Sequence, residues 1–124
     1  MISLDSKRQI AAKLQLFSVK SLELNELPKR YISLTVGTTP HKNAITISEA
    51  QDRVSFYVEN HKLLEDLRGS GFRFELTNQG YGYNKSRYWV YKVGLDDIER
   101  HAALFKNLVI EAVEVMIGRR TKNQ

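Results

Sequence analysis

Between Phe72 and Val93 four basic residues, Arg73, Lys85, Arg87 and Lys92, face a single acid, Glu75, and are interleaved with Tyr81, Tyr83, Tyr88, Trp89 and Tyr91. Cations neutralise phosphates and release their counterions, while tyrosine and tryptophan rings stack on unpaired bases at about 1 to 3 kcal/mol per base. Gly80, Gly82 and Asn84 let the loop between the flanking strands approach a partner's backbone closely. Tyr81, Tyr83, Lys85 and Arg87 are therefore the expected contacts to nucleic acid. The same residue types are enriched at protein interface hot spots, so the segment also suits a protein-binding inhibitor or adaptor. Trp89, with one face of Tyr88 and of Tyr91, fits the core of a sheet equally well.

Catalytic patterns are missing. His41, His61 and His101 are far apart, and none forms an HxH, HxxxH or HExxH spacing that would place two metal ligands on one element. With no cysteine there is no thiolate nucleophile, disulfide framework or cysteine-type metal site, and nothing points to an oxidising compartment. The phosphate loop GxxxxGK[ST], the dinucleotide fingerprint GxGxxG and the nucleophile elbow GxSxG do not occur. No Glu has Lys two residues later, which disfavours nucleases that join a strand Asp to a Glu-x-Lys tripeptide. The expectation is a non-enzymatic binding protein with no cofactor and no metal.

The charge distribution supports that reading. The chain has 124 residues, with 19 Lys plus Arg against 14 Asp plus Glu, leaving +5. By segment the side chains give +4 for residues 1–43, −2 for 44–71, +3 for 72–94, −3 for 95–117 and +3 beyond. Basic groups thus collect in the N-terminal portion, including the Lys29 and Arg30 pair, in the aromatic segment and in the tail with Arg119, Arg120 and Lys122. Convergence of these clusters on one face would favour an anionic partner, and scattering would favour a protein one.

Positioning those residues requires a scaffold. Apolar residues at 42% and charged residues at 27% are ordinary for one globular domain spanning 1–124. Ile10, Leu14 and Phe17 recur at helical spacing from about Ser6 to Phe17, with Asp5 or Ser6 as the cap. Ser18 to Leu27 reads as a connector with at most one short strand. Tyr31 to Val36, Ala44 to Ser48 and Arg53 to Val58 alternate as strands of an antiparallel meander. Leu63, Leu64 and Leu67 mark a short helix from Asn60 to Arg68, and Phe72 to Leu76 and Tyr88 to Val93 add two further strand signals.

A long helix is expected from Asp96 to about Ile117, with Ile98, Ala102, Phe105, Val109, Ala112, Val113 and Met116 as its core stripe. Leu104, Leu108 and Val115 make an adjoining apolar row wider than one sheet normally covers, which offers a homodimer or partner contact. The expected fold is α+β: an antiparallel sheet of four to five strands with an N-terminal helix, a short connecting helix and a long C-terminal helix mainly on one face. No stretch approaches the ~18 apolar residues of a membrane span. No export signal is visible, and the cytoplasm is the default location.

Overall fold

The computed structural model describes residues 3–27, 31–37, 43–77 and 86–122, apart from the side chains of Leu27 and of residues 119–122. Alternating residues organise it. Strands β1 (Leu22–Leu27), β2 (Tyr31–Val36), β3 (Asn43–Ser48), β4 (Arg53–Tyr57), β5 (Phe74–Leu76) and β6 (Arg87–Tyr91) form one antiparallel sheet in the order β1-β2-β3-β4-β6-β5. Every second side chain, Ile32, Leu34, Ile45, Ile47, Val54, Phe56 and Val90, is buried on one face.

Helices α1 (Leu4–Phe17) and α4 (Ala102–Lys122) cover that face, α1 against β1 and β2 and α4 against β2, β3 and β4. The α+β architecture is as expected, with six strands where four to five were anticipated. The additional strand is β1, which pairs with β2 along its whole length from Leu22 opposite Val36 to Leu27 opposite Tyr31. Its alternate Glu23 and Asn25 are exposed at the sheet edge, where poor β-formers are tolerated.

The helices start and stop for local reasons. In α1 the Ser3 hydroxyl accepts from Ser6 N at 3.2 Å, which sets the cap two to three residues before the Asp5 or Ser6 expected from sequence. Lys7 is only 2% exposed: its ammonium donates to the carbonyls of Glu49 and Gln51 at 2.7 and 3.1 Å and lies 3.7 Å from Asp52. That contact pins α1 to the β3–β4 turn. In α2 (His61–Gly69) the Asn60 side chain caps Lys62 N at 3.0 Å, and Gly71 beyond the C-terminus takes φ +87°, a conformation that suits glycine. The chain from Leu95 is not one helix: α3 (Leu95–Arg100) ends at His101, φ −114° and ψ 42°, and α4 begins at Ala102.

Leu108 and Val115 are in the core, at 0% and 7% exposed, and Leu104 packs half-buried against it. The apolar row expected to face a second molecule is therefore used inside the fold. The reason is that α4 touches α1, α2 and α3 as well as the sheet, so its covered arc exceeds what one sheet alone would bury. Phe105 anchors the junction, with its ring 6.2 Å from Phe56 and 5.4 Å from Phe72.

Candidate nucleic-acid interface

Among the described residues no helix packs on the other sheet face. Cross-strand register places Asn25, Ser33, Thr46, Ser55, Trp89 and Glu75 in one row from β1 to β5. Tyr57 with Arg87, and Arg53 with Tyr91, occupy the positions on either side of that row at β4 and β6. Ser33, Thr35, Thr46, Ser48 and Ser55 are buried although they are polar and on the helix-free side. Small hydroxyl residues in the central strands leave room for long side chains from neighbouring strands to lie across them.

Arg87 makes use of that room. Its Nε donates to Ser55 Oγ on β4 at 3.0 Å, and its Nη2 donates to Thr46 Oγ1 on β3, one strand further on. With strands about 4.8 Å apart, the side chain extends across two inter-strand spacings. Among the described residues no carboxylate pairs with it. Burial draws its guanidinium below the ordinary arginine range, while Tyr57 and Tyr31 act in the opposite sense. The group nevertheless stays charged at any physiological pH.

Three arginines on this side of the sheet lie over rings. The Arg53 guanidinium is 3.9 Å from the centroid of Trp89, Arg73 is 4.4 Å from Tyr91, and Arg87 is 5.6 Å from Tyr57. Stacking fixes the plane of a guanidinium, the group that recognises phosphate or carboxylate; the Nε and Nη2 of Arg87 are turned into the sheet, and the Nε of Arg53 is buried with no hydrogen-bond partner among the described residues. None of the three forms a salt bridge among the described residues. Glu75, in the same row as Trp89, accepts a hydrogen bond from the Tyr91 hydroxyl.

Two cavities flank the stacked pairs. One of about 150 Å³ is lined by Tyr31, Asn43, Thr46, Thr77, Arg87 and Trp89. The other, of about 430 Å³, lies beyond Tyr91 and Arg73, where Lys92, Asp97, Arg100 and His101 share its lining. Lys92 sits there with φ 56°, a left-handed conformation unusual for a residue with a side chain. Arg87, Trp89 and Tyr91 alternate along β6 over roughly 14 Å at strand rise, so the cations form a line from the smaller cavity to the larger.

The sequence candidates are placed unevenly. Arg87 is on the helix-free face, as are Trp89 and Tyr91, whereas Tyr88 points to the helix side, its ring 5.9 Å from Phe74. Tyr81, Tyr83, Lys85, Lys29 and Arg30 lie outside the described residues, as do the side chains of Arg119 and Arg120. Residues 78–85 lie in the chain between Thr77, after β5, and Ser86, immediately before Arg87. Arg53 was missed by sequence reasoning. The alternation Arg53, Ser55, Tyr57 marks it as a residue of the polar face, but its pairing with Trp89 depends on register between strands more than 30 residues apart.

Among the described residues no group of three His, Asp or Glu side chains is close enough to hold a metal ion. His61 is exposed in the first turn of α2, and the His101 ring meets Phe72 edge-on at 5.4 Å. No helix among them is long and apolar enough to cross a membrane. Comparison with protein-family models, with curated proteins and with solved structures finds no match to the chain.

Proposed function

We propose that the protein is a non-enzymatic nucleic-acid-binding module whose contact surface is the helix-free face of its sheet. One observation carries the reading: Arg53, Arg73 and Arg87 are each laid on an aromatic ring at this face, and none has a salt-bridge partner among the described residues. Arginines that serve only the fold would be expected to pair with carboxylates, of which the chain has 14. Preorganised, unpaired guanidinium groups instead match a chain of phosphates.

Tyr31, at 38% exposed, and the half-buried Tyr91 offer rings at the margins of this face that suit single strands, whose splayed bases can stack on them, better than a duplex. Tyr81, Tyr83 and Lys85, on the segment that enters β6, extend the same surface in this reading. The protein-binding alternative retains the loop but loses the row on α4, since Leu108 and Val115 are core residues.

Titration of a labelled single-stranded oligonucleotide by fluorescence anisotropy tests the proposal. Binding at low salt is expected, with log K falling linearly against log salt by about 0.7 for each phosphate neutralised. Absence of binding at micromolar protein would overturn it, and a protein partner retained after nuclease treatment and moderate salt would replace it.

A further inference from the structure

The smaller cavity has chemistry that a general phosphate-binding face does not need. Thr77 lines it, is only 6% exposed, and its Oγ1 has no hydrogen-bond partner among the described residues. Asn43 Nδ2 donates to Thr46 Oγ1 at 2.6 Å, and Asn43 Oδ1 is likewise buried without a partner among the described residues. Buried polar atoms left unpaired are costly and rare, and two on one small cavity point to a ligand that completes them.

The donor and acceptor balance narrows that ligand. Thr46 Oγ1 already accepts from both Asn43 and Arg87, so its two lone pairs are used and its own proton is available to an acceptor. Arg87 brings positive charge, Thr77 brings a second hydroxyl, and Asn43 Oδ1 needs a donor. The ligand must be anionic, rich in acceptors, and able to give one proton. A phosphate monoester satisfies all three conditions as its monoanion, the form that predominates below its second ionisation near pH 6. A phosphodiester has no proton to give, and a carboxylate has neither the proton nor the third oxygen. At about 150 Å³, roughly five times the volume a water occupies in the liquid, the cavity holds a phosphoryl group and is smaller than ordinary pockets for whole small-molecule ligands.

We propose that this cavity is a phosphate-monoester pocket that receives the terminal phosphate of a bound nucleic-acid strand. The source of the phosphate rests on the proposed function, whereas the pocket's chemistry does not. Arg87 then joins two roles, since its guanidinium is both the wall of the pocket and the first of the cations running along β6.

The test uses the full chain and single-stranded oligodeoxynucleotides of one sequence, about 12 nucleotides long, carrying a 5′-phosphate, a 3′-phosphate or hydroxyls at both ends. Inorganic phosphate alone is a fourth probe, read by the thermal unfolding midpoint. One phosphorylated oligonucleotide is expected to bind about tenfold more tightly than the hydroxyl-ended one, and inorganic phosphate is expected to erase that difference and to raise the midpoint. Thr77→Val removes a buried unpaired hydroxyl, so its midpoint should not fall, yet it should lose the preference for phosphorylated ends. Equal affinity for all three oligonucleotides with salt-sensitive binding overturns the pocket and leaves the nucleic-acid reading intact. A midpoint raised by inorganic phosphate in the parent and not in Thr77→Val, without oligonucleotide binding, upholds the monoester pocket and overturns the nucleic-acid terminus as its source. No response to any probe overturns both.

Discussion

Arg87 Nε donates to Ser55 Oγ at 3.0 Å, a contact that satisfies a donor without neutralising a charge. The next acceptor, Thr46, is also a neutral hydroxyl, and no described carboxylate forms a salt bridge with the guanidinium. A cation held in this way is left partly desolvated and uncompensated, which is unfavourable until an anion arrives. An anion that binds there stabilises the folded state by mass action, so ligand affinity and protein stability are linked through this one side chain.

Arg53→Ala and Arg73→Ala should each weaken single-stranded oligonucleotide binding by about three- to tenfold and reduce the salt slope by about 0.7. The stacks on Trp89 and Tyr91 contribute about 0.5 to 2 kcal/mol, so each variant should remain folded. Anisotropy titrations across salt concentrations read the slope and urea denaturation reads the stability. Unchanged slopes in both variants would remove these two residues from the interface.

Lys92 adopts φ 56°, where a residue with Cβ is strained by about 1 to 2 kcal/mol. Lys92→Gly relieves that strain at the cost of a more flexible unfolded chain, so stability should rise by at most about 1 kcal/mol. Oligonucleotide affinity should fall in the same variant, because a cation leaves the wall of the larger cavity. Denaturation and binding measured on one preparation separate the two effects, and a variant that binds as well as the parent would show that Lys92 takes no part.

Leu108→Ala should cost about 2 to 5 kcal/mol, as for a large core side chain replaced by alanine. Leu104→Ala, at a half-buried position, should cost clearly less. Neither substitution should change the mass measured by light scattering, because the row they occupy packs within the chain. A dimer in the parent that dissociates in Leu104→Ala would restore this helix as an interface.

The Arg8 guanidinium, hydrogen-bonded to Glu26 at 2.7 and 3.2 Å, holds the Glu26 carboxyl below the usual glutamate range. A carboxyl depressed in the folded state contributes stability that is fully present above its unfolded pKa and is lost as pH falls through the lower folded value. NMR titration of the Glu26 side chain should therefore give a midpoint below that of an isolated glutamate, returning upward in Arg8→Gln. The same midpoint in both proteins would show that the pair is not formed in solution.

Strands such as Tyr31–Val36 and Arg53–Tyr57 were legible because apolar and polar residues alternate, and the α+β class follows from combining them with α1 and α4. In Ser18 to Leu27 the alternation of Leu22 and Leu24 about Glu23, stopped by Pro28, supports at most one short strand in a connector, and it is the pairing with β2 that makes β1 a full strand. Leu108 and Val115 looked surplus because a helical wheel counts one neighbouring layer, whereas three other helices also meet α4. At the candidate site, the mixture of Arg87 with Trp89 and Tyr91 could be seen in β6 alone. The contacts of Arg87 with Ser55 and Thr46, and of Arg53 with Trp89, join β6 to β4 and β3 and have no local signature.

The proposed interface is one face of the sheet, and NMR can map it residue by residue. In two-dimensional NMR spectra of the labelled protein, adding a single-stranded oligonucleotide should shift the indole signal of Trp89, the only tryptophan, with the amides of Ser55, Arg73, Arg87 and Tyr91. The amides of α1 and of the core-facing turns of α4 should stay in place. Shifts confined to the helices, with Trp89 and β6 unmoved, would show that this sheet face is not the nucleic-acid interface.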